Sequence, residues 1–230
     1  MKGKLYGIGV GPGDSELITL KALRMIKECD VIAMPGKNPQ ESVAYKIAEG
    51  AYAEIVKKET LPIVTPMTKD KTVLEQNYME VVKRIEKILE DGKDVGLLTL
   101  GDPTVYSTYI YIHQKVVADG YAAEIINGIT SFCAVAARLG DSLVEREELL
   151  HVIPSNYQFE NTLNLPGTKV YMKAGSKLGE LKEKLLENQC DAVMIEKCGM
   201  EDEKIYYSAE EMPQKGSYYS LVIVKEKSDD

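Results

Sequence analysis

A carboxylate set between glycine and proline, Gly101-Asp102-Pro103, follows directly on the apolar-leaning run Leu97-Leu98-Thr99-Leu100. A buried parallel strand that stops at such a turn presents backbone groups and a negative charge at its carboxyl end, where open α/β sheets bind ligands. A second segment has the same form: Gly7-Ile8-Gly9-Val10-Gly11-Pro12-Gly13-Asp14 ends an N-terminal strand pattern in glycines. Glycines there permit tight turns and close approach of the backbone to a ligand. Neither segment has the spacing of a phosphate cradle. Counting G-x-G-x-x-G from Gly7 puts Pro12 at the third glycine, counting from Gly9 puts Asp14 there, and no G-x-x-x-x-G-K-[ST] run occurs. Asp102 suits a cationic ligand, or it caps a helix starting near Thr104; Asp14 is placed to cap the helix after the first loop.

The elements that must position these loops follow from periodicity. Lys4 to Val10 reads as a strand, and Glu16 to Lys27 as a helix with Leu17, Leu20, Leu23 and Ile26 inward. Asp30 to Met34 is a short strand ended by Pro35-Gly36, Glu41 to Ala53 a helix, and Ile55 to Ile63 extended. Lys69 to Glu90 is the longest helical pattern, with Val73, Met79, Val82, Ile85 and Leu89 on one stripe and Gly92 just beyond its end. Val95 to Leu100 is the central buried strand, followed by a helix from Val105 to Val117 in which Tyr106, nearest the turn, is the tyrosine to face a cleft. After Asp119-Gly120, the expected domain boundary, come a strand at Ala123 to Ile126, a turn through Asn127-Gly128-Ile129-Thr130-Ser131 and a helix from Phe132 to Leu139. Strands around Leu149 to Ile153, Thr168 to Met172 and Ala192 to Glu196, a helix from Leu178 to Asn188, and a terminal hairpin through residues 205–208 and 217–224 complete the chain. This alternation predicts two α/β domains with partly mixed sheets, residues 1–118 and 119–230.

Composition narrows the function classes. The chain has 230 residues, 44% of them hydrophobic, and a net charge of -8, a balance that disfavours electrostatic binding to nucleic acid or to anionic membrane. No run approaches the roughly 18 apolar residues of a membrane span, and the N-terminus leads into a strand pattern, so a soluble, cytoplasmic protein is expected. Cys29, Cys133, Cys190 and Cys198 lack any Cys-x-x-Cys spacing and read as buried thiols; His113 and His151 stand far apart, and no metal site is expected.

Three segments, in the same order and at similar separations, resemble those of the tetrapyrrole methylases: the loop at residues 7–14 with Leu17-Ile18-Thr19 downstream, the Leu-Gly-Asp-Pro turn at 100–103, and Gly128-Ile129-Thr130-Ser131. Residues 99–108, 128–134 and Pro66-Met67-Thr68-Lys69-Asp70 look most like the branch that methylates C20 of precorrin-2 or of its cobalt-bearing counterpart, cobalt-factor II. One departure is Asn127, where many relatives have proline, which is expected to loosen the turn.

The resemblance implies an enzyme of corrin (cobalamin) biosynthesis, a homodimer that holds S-adenosylmethionine in a cleft between two α/β domains and releases S-adenosylhomocysteine. The N-terminal domain would face the tetrapyrrole and the C-terminal one the cofactor. Pro12 matches the family's cofactor-lining proline, Leu100, Gly101 and Asp102, followed by Val105, match the segment that embraces the methionine part, and Thr130 and Ser131 match the contacts on the second-domain side. Met172 and Gly199 match positions flanking the adenosine, with Ser220 and Leu221 beside them. Asp102, Tyr106 and Lys173 are the candidates for polarising or deprotonating the substrate carbon, and the sequence does not choose among them. Lys37, Lys69, Arg138 and Lys173 are candidate partners for the substrate's carboxylates. Other readings are a different methylase of the pathway, a methylase of the same fold acting on RNA or protein, and a non-catalytic adenosine-binding module.

Overall fold

A computed structural model describes residues 1–66, 68, 70–154 and 159–226. The chain divides into two compact units, Met1–Thr130 and Ser131–Asp230.

The first unit is built on a wholly parallel sheet of five strands, β1 (Leu5–Gly9), β2 (Val31–Pro35), β3 (Glu59–Ile63), β4 (Val95–Thr99) and β5 (Ala123–Ile126), in the order β3-β2-β4-β1-β5. Four helices connect them: α1 (Leu20–Glu28), α2 (Val43–Ala51), α3 (Lys71–Glu90) and α4 (Tyr109–Ala118). Right-handed crossovers that step twice one way along the sheet and then twice the other place α1 and α2 on one face and α3 and α4 on the opposite one. Alternating strand residues serve the two faces accordingly. Ile8, Ile32, Met34 and Leu98 pack with α1 and α2, whereas Leu5, Val31, Ala33, Val95 and Leu97 pack with α3 and α4. Neighbouring β1 and β4 thus send their outgoing chains to opposite faces, which opens a crevice at their carboxyl ends.

Helix phases differ from the periodicity reading in two places. The segment after the first loop opens as a 3-10 turn, Ser15–Leu17, and α1 begins only after Thr19, whose hydroxyl caps it by accepting from Ala22 N at 3.2 Å. The late start turns Ala22, Met25 and Ile26 inward and leaves Leu20 87% exposed. Asp14 accepts from Glu16 N at 2.9 Å and so caps the 3-10 turn rather than α1. In α3 the buried stripe is Tyr78, Val81, Val82, Ile85 and Leu89, with Val73 and Met79 exposed; Gly92, at φ +78°, ends it as expected.

The boundary expected at Asp119-Gly120 falls later, between Thr130 and Ser131. Glycine 120 only reverses the chain after α4; β5 then pairs in parallel with β1 from Leu5↔Ala123 to Ile8↔Ile126 and is the edge of the first sheet. That edge is fastened by charge. Glu124 accepts from Lys21 Nζ at 2.8 Å and from Lys4 Nζ, and these two bonds hold its carboxyl down to about 2. A depressed carboxylate stabilises the fold above its ordinary value of 4.5 and loses that contribution as pH falls towards 2. Glu124→Gln is therefore expected to lower the melting temperature at pH 7 and to melt like the parent near pH 2; an equal deficit at both pH values would show that the charge is immaterial.

The second unit has a mixed sheet of β6 (Leu150–Pro154), β7 (Thr168–Met172), β8 (Asp191–Glu196), β9 (Lys204–Tyr206) and β10 (Ser220–Lys225), ordered β6-β7-β10-β8-β9. Only β6 and β7 are parallel. Its helices are α5 (Ser131–Leu139), α6 (Glu160–Leu163) and α7 (Leu178–Glu187), and Leu178, Leu181 and Leu185 of α7 pack on Tyr171, Met194, Val222 and Val224 of the sheet. The expected terminal hairpin does not form: β9 pairs with β8, while β10 inserts between β7 and β8. Leu221 to Val224 is buried throughout and fits a central strand, whereas the three-residue β9 suits an edge.

Among the cysteines, Cys29 is buried, and burial pushes its thiol up to about 12; Cys133 is exposed, contrary to expectation, because it lies on the outer side of α5. Among the described residues no helix is long and apolar enough to cross a membrane.

Candidate functional site in the first unit and the loops of the second

The carboxyl ends of β1, β4 and β5 meet in a junction of glycines. Beyond β1, Val10 N donates to Thr99 O at 3.0 Å, and Gly11 and Gly101 exchange backbone bonds of 3.3 and 2.8 Å, so the first loop is zipped to the Gly-Asp-Pro turn. Gly101 makes that turn with φ +70°. Gly128, after β5, lies directly on Gly9. A Cβ at Gly128 would stand 2.2 Å from Gly101 O and 2.8 Å from Gly9 C, and one at Gly9 would stand 2.5 Å from Gly128 N. Three backbones share a space that no side chain can enter.

Asp102 fastens the junction. It is 6% exposed, and its two oxygens accept four bonds: Thr104 N at 2.7 Å and Thr104 Oγ1 at 2.5 Å on one, Gly128 N at 3.0 Å and Asn127 Nδ2 at 3.2 Å on the other. Burial pushes the carboxyl up, but bonds from Thr104, Asn127 and Gly128 together outweigh it and hold the group below its ordinary range. Asp102 is ionised at neutral pH and a weak base. It does not cap α4, because that helix starts only at Tyr109, where Ser107 Oγ accepts from Tyr109 N at 3.2 Å. Its own backbone carbonyl instead accepts from Val105 N at 3.2 Å, closing the 102–105 turn.

Around this junction stand the other expected residues of the first unit. Pro12 is buried, Leu100 and Val105 are half-buried, and Leu100 packs against the α1–α2 face. Thr130 closes the unit with a buried Oγ1 that has no hydrogen-bond partner among the described residues. Tyr106 is exposed and holds φ +47°, a left-handed backbone that costs a bulky residue energy and is met where a side chain must be presented in a set direction.

In the second unit Ser131 opens α5, and Met172, Ser220 and Leu221 form one cluster, since Leu221 pairs with Met172 and Lys173 N donates to Ser220 O at 3.1 Å. Ser220 is buried with an Oγ that finds no partner among the described residues, and so does the Oγ of Ser217. Gly199 turns at φ +73° and donates its N–H to Glu203 at 2.8 Å. Lys173, at φ +59°, holds its ammonium 5.4 Å from the centre of the Tyr218 ring.

Of the expected substrate cations, Lys37 is exposed just after β2, Arg138 is engaged with Glu203 at 2.8 Å, and Lys69, like Met67, lies outside the described residues. Two residues that the structure singles out were not among the expected site residues, Asn127 and Ser217. Asn127 tightens the turn that it was expected to loosen, through its bond to Asp102, and its carbonyl accepts from Thr19 Oγ1 at 3.3 Å. Asn before Gly is a turn signal whose side chain seeks local backbone or carboxylate partners, but which carboxylate it finds is a matter of tertiary structure. Ser217 carried no sequence signal at all.

Comparison with known proteins identifies the family. A family described as "Tetrapyrrole (Corrin/Porphyrin) Methylases" matches residues 4–213. The chain is 36% identical over 230 residues to a probable cobalt-precorrin-2 C(20)-methyltransferase of Methanocaldococcus jannaschii, covering 96% of each chain. It is 30% identical to a precorrin-2 C(20)-methyltransferase of a Sinorhizobium species, covering 96% of this chain and 95% of that one. Its fold is shared with a uroporphyrin-III C-methyltransferase of Thermus thermophilus solved with S-adenosylhomocysteine, with TM-score 0.70, 19% identity and coverage of 97% and 98%. With a parallel α/β first unit, a mixed-sheet second unit and a sequence match across nearly its whole length, the chain belongs to the tetrapyrrole methylase family.

Proposed function

We propose that this protein transfers a methyl group from S-adenosylmethionine to C20 of precorrin-2 or cobalt-factor II in cobalamin biosynthesis, as a cytoplasmic homodimer. The observation that carries the reading is the similarity, along nearly the whole chain, to proteins named for C20 methylation.

The residues present fit the methyl donor. The Gly101 turn has open space at its Cα, the nearest atom to an added Cβ being 3.9 Å away, and the hydroxyls of Thr130 and Ser220 are buried without partners among the described residues, as hydrogen-bonding groups of a ligand site would be. Asp102 adds a fixed negative charge suited to a cationic ligand, and the junction lacks the spacing for phosphate. When bound, S-adenosylmethionine supplies a sulfonium methyl that is already activated for transfer.

The chain's own contribution is then binding and alignment. Pro12, Leu100, Gly101, Asp102 and Val105 would hold the methionine part, with Thr130 and Ser131 beside it, and Met172, Gly199, Ser220 and Leu221 would flank the adenosine. Such alignment can be worth roughly 7 to 11 kcal/mol in favourable cases. The proton that leaves C20 needs an acceptor. Asp102, with its acceptor sites filled and its carboxyl held low, fits a binding role rather than that of base. Tyr106 and Lys173, each fixed by a left-handed backbone, are the groups left to polarise the substrate.

The reading is tested by incubating the protein with donor carrying a carbon-13 methyl and with either metal-free precorrin-2 or its cobalt form. The expected result is one labelled methyl at C20 together with S-adenosylhomocysteine; label on a pyrrole-ring carbon would keep the methylase and overturn the regiochemistry. S-adenosylmethionine should also raise the melting temperature while NADH leaves it unchanged, because only a ligand of the folded state stabilises it. Donor binding without turnover of either tetrapyrrole would favour an adenosine-binding module. Sedimentation at working concentration reads the dimer.

A further inference from the structure

We propose that Asn127 is a positioning residue for the methyl donor: its amide holds the Asp102 carboxylate in place, and through it the Leu100–Gly101–Asp102 segment and Gly128. The inference rests on the donor site proposed above and adds a residue that makes no contact with the donor itself.

The argument starts from what a buried carboxylate requires. Asp102 has about four acceptor positions, and all are taken. Two of the donors, the N–H and hydroxyl of Thr104, belong to Asp102's own turn and move with it. They set the rotamer of the side chain but fasten it to nothing else. The remaining oxygen, Oδ2, reaches across to the loop after β5, and there it has two partners, the backbone N–H of Gly128 at 3.0 Å and the amide of Asn127 at 3.2 Å. Among the described residues Asn127 is thus the side chain from another loop that bonds to Asp102.

Asn127 has no need of that bond on its own account. It is exposed, and water would satisfy its amide equally well. The beneficiary is Asp102, which is buried and charged and pays heavily for each missing donor. Asn127 is held from behind as well, since its carbonyl accepts from Thr19 Oγ1 at 3.3 Å while the same hydroxyl accepts from Ala22 N and caps α1. Through its backbone carbonyl and its side-chain amide together, the residue therefore links three connections, those after β1, β4 and β5, at the point where their backbones are in contact. Removal of the side-chain amide leaves Oδ2 with one donor and lets the carboxylate swing, and with it the backbone groups at Leu100 and Gly101 that would face the donor's methionine part.

The experiment compares Asn127→Leu with the parent protein, using titration calorimetry with S-adenosylhomocysteine, steady-state kinetics and a melting curve. We expect S-adenosylhomocysteine binding about tenfold weaker, in keeping with the loss of one hydrogen bond to a charged group. The KM for S-adenosylmethionine should rise by a similar factor, with the KM for the tetrapyrrole unchanged. In the Asp102→Ala background the Asn127 substitution should have no further effect on affinity, because a residue that acts through the Asp102 side chain has no acceptor left to act on. Asn127→Ser, too short to reach Oδ2, should reproduce the loss and serves in place of the leucine variant if that one fails to fold. Parental affinity in both variants, or a lowered melting temperature with affinity intact, would overturn the inference and leave Asn127 a structural tie. Absence of S-adenosylhomocysteine binding by the parent protein would instead count against the proposed function, so the two failures are separable.

Discussion

Gly128→Ala is expected to destabilise the first unit by about 3 kcal/mol and to abolish S-adenosylmethionine binding. The reasoning is steric alone. Gly128 is not among the residues with positive φ, so alanine could adopt its backbone conformation without strain. The added Cβ, however, would lie 2.2 Å from Gly101 O and 2.8 and 2.9 Å from the backbone of Gly9, and backbone, unlike the end of a flexible side chain, has nowhere to retreat within a paired sheet. The comparison that sharpens the result is Gly101→Ala. There φ is +70°, but the nearest atom to a new Cβ is 3.9 Å away, so the cost is limited to about 1 to 2 kcal/mol of left-handed strain. Chemical denaturation of the two variants should rank them in that order. Equal losses would mean that the close approach of β1 and the loop after β5 relaxes readily, and the cradle with it.

Asp102→Ala should weaken S-adenosylhomocysteine binding about a hundredfold, equivalent to about 2.8 kcal/mol, and lower stability at neutral pH as well. The two effects have separate origins. Truncation removes the fixed negative charge proposed to meet the donor's cationic end. It also strands the N–H groups of Thr104 and Gly128, which lose their acceptor. A pH series tells the parts of the stability loss that depend on ionisation. The folded-state carboxyl lies below its ordinary range, so its contribution is present at neutral pH and fades as pH falls through the folded value; the gap between parent and variant should narrow in acid. A gap that stays constant down to strongly acidic pH would show that packing, and not the charge, is what Asp102 supplies. Unchanged ligand affinity beside a lowered melting temperature would remove Asp102 from the binding site.

The sequence disclosed the loops more fully than the contacts among them. Glycine runs and the Gly-Asp-Pro turn mark strand ends through local chemistry, and β4, β5 and β7 lie where alternation and turn residues put them, because each is bounded by a strong breaker. Helix phase was less legible. The segment around Leu17 and Leu20 carries apolar residues at helical spacing, yet Thr19 competes as a cap one turn later and rotates the face. The late strands were misjoined because adjacency in sequence suggests a hairpin, whereas burial on both faces draws β10 to the centre of its sheet. Asp102 offered two readings, as cation partner and as helix cap. Beside the local Thr104, its partners are Asn127 and Gly128, 25 and 26 residues away, a separation that no local pattern encodes.

The place where the chain divides has a consequence for how such a protein can be altered. The two units part between Thr130 and Ser131, inside the Gly-Ile-Thr-Ser turn, so the seam between modules runs through adjacent residues that are both proposed to serve the donor. In most two-module chains a seam is a tolerant linker, where halves can be exchanged, spaced or expressed apart. Here an insertion at the seam would break into the Gly-Ile-Thr-Ser turn itself, two residues beyond the Gly128 N–H that anchors it to Asp102. Shuffling halves between relatives with different regiochemistry is therefore better attempted with a crossover before β5, at the Asp119-Gly120 turn, carrying the whole Asn127–Ser131 segment with the second half. The price is a new β1–β5 register to be matched, since β5 would then be grafted onto another protein's sheet.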